Sequence, residues 1–247
     1  MNVKNKVIII AGGAGGLGAD MTRLLCQHGA LVYVLDLDAD KGQALTAEIG
    51  TQAKFIKIDL TSEEGWASAI DSIIKEATRI DVLVNNVGIN IRKPIEEMSI
   101  DEWNIMMTVN TGTVFLGCKY VLPLMKRQGT GSIINTSSVC GLIGHKFTPE
   151  AYTATKGAVT LLTKSIASRY GQFGVRCNSI HPSTVDTPMV AEMLKDPAKK
   201  AERLGEVPLG RLAVSSDVAN AVLYLASDEA SFINGVNLPI DGGVTCY

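Results

Sequence analysis

The chain has 247 residues, 46% of them hydrophobic, and its 23 basic and 25 acidic side chains are interspersed to a formal net charge of −2. That is enough apolar material for one large α/β core, and it leaves no basic stripe for nucleic acid, no polybasic tail for a membrane surface and no disordered composition. The only apolar run near the start, Val7–Ala11, is stopped by Gly12 and is too short for a signal or membrane segment, so a cytoplasmic protein is expected.

In chain order, Val7–Ala11 reads as a strand that runs into the glycine-rich stretch Gly12–Gly18, and Gly16–His28 has helical spacing. A second strand, Leu31–Leu35, ends at Asp36, and a helix over Lys41–Ile49 leads to a third strand, Lys54–Ile58. Thr61 or Ser62 caps a helix over Glu63–Ala77, and Val82–Asn85 is the fourth strand. Ser99 and Glu102 form a capping-box pattern at the head of a helix expected to reach Lys126. Ser132–Thr136, a helix over Ala151–Tyr170, and Arg176–His181 follow. A helix at Ser216–Ala226 and a strand at Val236–Ile240 close the chain. Several strand runs are continuously apolar, as in strands buried on both faces, and strand–helix alternation from end to end predicts a parallel sheet. With no repeat or linker, residues 1–247 form a single domain. The one irregular connection, residues 183–209, is read as a short amphipathic lid carrying Met189, Val190, Met193 and Leu194.

The five cysteines are scattered singly without a C-x-x-C pair, and the three histidines lie far apart, so neither a disulfide framework nor a metal site is expected.

Gly13–Gly18 reads G-x-G-x-x-G directly after the first strand and opens a helix. Glycines there permit a tight turn and close backbone approach, and the helix N-terminus faces a pyrophosphate. No Gly-Lys-Ser/Thr follows, which excludes a P-loop. Asp36 ends the second strand about 20 residues further on, where a carboxylate binds adenosine ribose hydroxyls and repels a 2′-phosphate. Leu37 and Asp38 follow, and Gly13-Ala14-Gly15 supplies no cation. NAD is therefore expected over NADP, although Asp36 as an ordinary capping aspartate remains open. Asp59-Leu60 and Asn85-Asn86-Val87-Gly88 close the third and fourth strands, at the carboxyl ends where adenine and ribose bind; strand-end turn chemistry is the alternative for the asparagines.

Tyr152 and Lys156 are four residues apart and share one helix face. An ammonium beside a phenol lowers the phenol pKa from its usual value of about 10, which fits a general acid/base. Ser138 closes the fifth strand, with Ser137 as its competitor, and Asn110 lies mid-helix, where asparagine is a poor helix former.

These motifs together resemble the short-chain dehydrogenases/reductases over essentially the whole chain. The glycine motif corresponds to Ala11–Gly18, Asn-Asn-Ala-Gly to Asn85–Gly88, the helix-four asparagine to Asn110, the serine to Ser138, Tyr-x-x-x-Lys to Tyr152 and Lys156, and the Pro-Gly turn to Pro182-Ser183 followed by Thr187. The resemblance implies a doubly wound Rossmann fold with seven parallel strands and helices on both faces. It implies an NAD-dependent oxidoreductase exchanging a hydride with a secondary alcohol or ketone, with Asn110, Ser138, Tyr152 and Lys156 catalytic. The dinucleotide would lie on Gly12, Ala14, Gly15, Gly16, Leu17 and Gly18, then on Asp36, Leu37, Asp59 and Leu60. It would continue over Asn86, Val87 and Gly88 to Tyr152, Lys156, Pro182, Val185 and Thr187. Asn110 would hold a water linking Lys156 to solvent, Thr187 would bind the carboxamide, and the assembly would be a homotetramer with one interface on Ser99–Lys126 and Ala151–Tyr170.

Four departures stand out: Ala11 for Thr, Val87 for Ala, Ser183 for Gly, and thirteen residues (139–151) between Ser138 and Tyr152, one more than the family pattern. The extra residue falls in the loop Leu142–Glu150, whose His145 and Phe147 are candidate substrate contacts, as are Ser138, Met189 and Met193. An apolar, cyclic or steroid-like small molecule is the expected substrate. A 3-oxoacyl carrier-protein reductase, a polyol or sugar dehydrogenase, and a catalytically silent dinucleotide sensor are the competing readings.

Overall fold

The structure is a computed structural model that describes every residue except 188, 189, 192, 193 and 247. Seven parallel strands form one sheet in the order β3-β2-β1-β4-β5-β6-β7. They are β1 (Val7–Ala11), β2 (Leu31–Asp36), β3 (Ala53–Lys57), β4 (Val82–Asn85), β5 (Gly131–Thr136), β6 (Val175–Pro182) and β7 (Asn237–Ile240). The helices are α1 (Gly16–Gln27), α2 (Ala39–Ile49), α3 (Glu63–Ala77), α4 (Ile100–Met107), α5 (Thr113–Gln128), α6 (Glu150–Tyr170), α7 (Pro197–Gly205) and α8 (Ser215–Ala226).

The period of two along each strand divides the core. Ile9, Tyr33, Leu83, Ile133 and Cys177 pack with Trp66, Val121 and Val159 on the face covered by α3, α5 and α6. Ile8, Ile10, Val32, Val84, Ile134 and Ile180 pack with Met21, Leu25, Val218 and Val222 on the face covered by α1 and α8. A strand buried on both faces needs apolar residues at both parities, which is why these runs are continuous.

Two expectations about elements need correction. β3 stops at Lys57, and Asp59 instead begins the turn into α3, accepting the Thr61 amide at 2.9 Å and the Thr61 hydroxyl at 2.7 Å. The helix expected over Ser99–Lys126 is divided: α4 and α5 are joined by a π-helical segment, Thr108–Gly112, with Asn110 at its centre. The capping box is present, with the Glu102 amide 3.2 Å from Ser99 Oγ and the Ser99 amide 2.9 Å from Glu102 Oε2. The stretch Ile100–Gln128 has the length and composition to cross a membrane. Val114, Val121, Leu122 and Met125 of this stretch are buried in the sheet's core, as in the core helix of an α/β domain.

β1 and β4 are neighbours although the chain passes through β2 and β3 between them. Ala11, Asn85 and Asn135 lie in register at the carboxyl ends of β1, β4 and β5, with Thr136 one residue further on. A crevice opens at such a reversal of strand order.

Candidate active site

A cleft of about 510 Å³ runs across these strand ends. One end is walled by Gly12, Gly15, Gly16, Leu17 and Lys41, the middle by Asn86, Val87, Gly88 and Thr136, and the other end by Ser138, Tyr152, Lys156, Pro182, Val185 and Thr187. His145 and Phe147 also face it. Thus most of the expected dinucleotide and catalytic residues share one wall.

The glycine turn is built for close approach. A Cβ on Gly18 would collide with the Gly12 carbonyl oxygen, and Gly16 has φ +51° with open space beside it. Ala11 brings no hydroxyl to the turn; Asn86 Nδ2 donates to the Gly12 carbonyl at 3.1 Å, and within α1 Thr22 Oγ1 donates to the Gly18 carbonyl at 2.8 Å. The N-terminus of α1 carries no side-chain cap and no acidic residue in its first turn. Unpaired amides at a helix N-terminus suit an anion. Ser183 Oγ and Asn90 Oδ1 also border the cleft and are buried without a hydrogen-bond partner. The residues present therefore fit a dinucleotide, with the pyrophosphate at α1 and polar atoms left over at the far end.

Asp36 lies beside the glycine turn rather than in the wall, its carboxylate accepting the Ala14 and Asp38 amides at 3.1 Å each. Leu37 next to it is 63% exposed. Asp59 and Leu60 do not line the cleft: the Asp59 carboxylate is bonded within its own turn, and Leu60 is buried in the core with its carbonyl accepting Trp66 Nε1. Ala14 and Gly18 shape the turn from behind. Asn85 points away, into the core, where Nδ2 donates to Asn135 Oδ1 at 2.8 Å. The expectation that it faces adenosine is corrected. Val87 crowds the turn, since a Cβ on Gly12 would lie 2.6 Å from Val87 Cγ2.

At the chemical end, β5 delivers two serines with different partners. Ser137 Oγ donates to the Lys156 carbonyl at 2.9 Å and is committed to α6. Ser138 Oγ accepts the Cys140 amide at 3.2 Å, and its interaction with Tyr152 favours the phenolate. Ser138 is therefore the serine coupled to the tyrosine. His181, fully buried, donates from Nδ1 to the Ser138 carbonyl at 2.7 Å, and burial lowers its pKa. Sequence reading missed this support.

Lys156 is buried, its Nζ 2.9 Å from the Thr136 carbonyl and 5.7 Å from the Tyr152 ring centre, and burial lowers its pKa to about 8. Tyr152 lines the cleft, but burial of its hydroxyl raises its pKa well above the usual value. The Cys140 thiol adds to that rise, while Ser138 and Arg92 oppose it. The expected lowering is corrected for the protein alone: desolvation of the hydroxyl is the largest influence on it.

Asn110 does not line the cleft. It is fully buried, accepts the Ile89 amide at 2.7 Å, and donates to the Ile89 carbonyl at 2.9 Å and to Thr155 Oγ1 at 3.0 Å. It thereby clamps the loop after β4, with Gly88 between it and Lys156. π-turns recur at functional sites, and here the wide turn presents a side chain that helical propensity disfavours.

Met189 and Met193 lie outside the described residues. Among the described residues, Val190, Val207 and Val244 wall the outer pocket, with charged groups that the sequence patterns do not single out. Arg203, on α7, stacks 4.7 Å from the Phe147 ring centre and donates to the Phe147 carbonyl at 3.3 Å. It also pairs with Glu206, which lies 3.4 Å from His145. Among the described residues, no group of three or more His, Cys, Asp or Glu gathers to hold a metal.

Residues 12–245 match a family model described as Enoyl-(Acyl carrier protein) reductase. The chain is 42% identical over 246 residues to a cyclopentanol dehydrogenase of Comamonas testosteroni, covering 98% of each. It is 40% identical over 252 residues to a trans-4-hydroxycyclohexanecarboxylate dehydrogenase of Sinomonas cyclohexanicum, covering 98% of this chain and 94% of that one. The crystal structure of a levodione reductase superposes with a TM-score of 0.92 at 31% identity, covering 99% of both chains.

Proposed function

Because this chain belongs to the short-chain dehydrogenase/reductase family, we propose that it interconverts a secondary alcohol on a ring and the matching ketone with NAD(H). The observation that carries the reading is the convergence of Ser138, Tyr152 and Lys156 on one cleft with a bare helix N-terminus at its other end.

Bound in that cleft, the nicotinamide supplies the hydride acceptor for the alcohol or the donor for the ketone. Tyr152 moves the proton: its phenolate takes the hydroxyl proton in oxidation, and its phenol returns one to the ketone oxygen in reduction. Ser138 donates a hydrogen bond to the same oxygen, where charge develops. Lys156, largely protonated at neutral pH, stabilises the phenolate as it forms, and Asn110 and His181 position the two loops that flank the pair. Thr187 and the partnerless Ser183 hydroxyl are assigned to the carboxamide end, and Asp36 to the adenosine ribose. Asp36 favours NAD by opposing a 2′-phosphate.

A ring substrate agrees with the apolar walls Val190, Val207, Val244 and Phe147 and with the names of the relatives. A homotetramer is part of this reading: Phe115 and Leu161, on the outer faces of α5 and α6, are 49% and 69% exposed and form a surface suited to a second copy.

The test is NAD⁺ reduction across cyclopentanol, cyclohexanols, hydroxysteroids and polyols, repeated with Tyr152→Phe. Turnover on ring alcohols should fall about 10²- to 10⁴-fold in the variant while NADH still binds. Unchanged turnover would remove the assigned role, and activity on polyols alone would remove the ring substrate.

A further inference from the structure

Sequence reading found no cation beside the adenosine end of the cleft, yet folding brings one there. Lys41 lies in the first turn of α2, three residues after the N-cap Asp38. Its stem lies along the glycine turn, since a Cβ on Gly15 would be 3.7 Å from Lys41 Cδ. Among the described residues that wall this end, it is the only charged side chain. Its ammonium, however, is turned onto Asp38 Oδ2 at 2.6 Å, and both side chains are open to solvent, at 68% and 40% exposure. Asp38 also accepts the Lys41 amide at 3.0 Å, so one carboxylate caps the helix and holds the lysine. Asp36 is linked to the same group through the Asp38 amide.

We propose that Asp38 and Lys41 form a second determinant of cofactor choice: Asp38 draws aside, by a surface ion pair, the one ammonium among the described residues that wall this end of the cleft, and so keeps it from a 2′-phosphate. The inference rests on the proposed dinucleotide site and its NAD preference. In the native arrangement a 2′-phosphate would meet two carboxylates, Asp36 and Asp38, while the ammonium of Lys41 is turned onto Asp38. An exposed ion pair is weak, so loss of the Asp38 charge releases the lysine at little cost. Asparagine keeps the helix cap, because it is as good at that position as aspartate. A lysine is a competent phosphate partner as a point charge.

The experiment compares NADH and NADPH dissociation constants by nucleotide fluorescence for the wild type, Asp38→Asn, Lys41→Met and the double variant. Binding is read directly, so no substrate is needed. Asp38→Asn should improve NADPH relative to NADH about two- to fivefold, the size of one surface charge contact, and added salt should erode the gain. The double variant should lose the gain, and thermal melting of Asp38→Asn should match the wild type because the cap is retained. An unchanged ratio in Asp38→Asn, or a gain that survives in the double variant, overturns the role of Lys41. Equal affinity of the wild type for both nucleotides overturns the NAD preference instead, and the comparison of single and double variants still decides the lysine.

Discussion

The ammonium of Lys156 lies 5.7 Å from the centre of the Tyr152 ring and makes its 2.9 Å hydrogen bond with the main chain of Thr136. The lysine is thus anchored to the sheet while its field acts on the tyrosine. A charge held this way, inside the protein without a carboxylate bonded to it, costs stability for the sake of the site.

Lys156→Met should therefore make the protein more stable near pH 7 and inactive. The folded-state pKa of Lys156 is lowered to about 8 from an ordinary value near 10.5, so the folded protein releases this proton before the unfolded chain does. The penalty is present in full below pH 8 and is relieved as pH rises toward about 10.5. Melting curves should show the variant a few degrees above the wild type at pH 7, with the gap narrowing at pH 9 to 10. A variant that melts lower at pH 7 would mean that the bond to Thr136 outweighs desolvation.

Tyr152 shifts in the other direction. Burial raises its pKa in the protein alone, so the phenol stays protonated beyond the usual tyrosine range. The cationic nicotinamide should favour the phenolate. At saturating NAD⁺, kcat/KM for the alcohol should rise with pH and level off at a lower pH than the Tyr152 titration of the free protein, read as the ultraviolet difference between wild type and Tyr152→Phe. Coincident midpoints would show that NAD⁺ does not act on the tyrosine.

Gly18→Ala should abolish NADH binding, because its Cβ would strike the Gly12 carbonyl oxygen and the turn would have to open. Gly16→Ala meets no neighbouring atom and carries only the strain of φ +51°, about 1 kcal/mol. Fluorescence titration should rank the two far apart, with Gly16→Ala weakened and Gly18→Ala not binding.

Arg203→Met should raise KM for a ring alcohol several-fold and leave kcat nearly unchanged. The guanidinium holds the loop carrying Phe147 and His145 against α7 through the ring contact, the Phe147 carbonyl and Glu206. Its loss frees the outer wall without touching the proton path. A fall in kcat with constant KM would place Arg203 in the chemistry instead.

What the sequence disclosed and what it hid follow from the range of each interaction. The glycine turn, the capping box at Ser99 and the Tyr152–Lys156 face are local patterns, fixed by spacings of three to six residues, and all were legible. Asn85 was misjudged although period two places it with Leu83, on the face that sinks beneath α5. Asp59 was misjudged because a carboxylate two residues before a threonine bonds within its own turn. Lys41 is not legible from the glycine turn or from the two residues directly after Asp36, because only one helical turn of α2 carries its ammonium back to Asp38. Arg203 reaches the cleft wall, and buried His181 the Ser138 carbonyl behind it, from distant segments that only the assembled fold brings together. The raised tyrosine pKa depends on solvent exclusion, which a spacing of four does not encode.

The wide turn at Thr108–Gly112 has a consequence for how this stretch can change over generations. A π-turn absorbs one more residue than the helix around it, so deleting one of the five would restore a regular spiral, leave α4 and α5 facing as they do, and remove the wide turn that carries Asn110. The packing of both helices would survive, and what would be lost is the grip of Asn110 on Ile89. Lineages of this protein should drift freely in side-chain identity on the exposed positions here, while the number of codons stays constant.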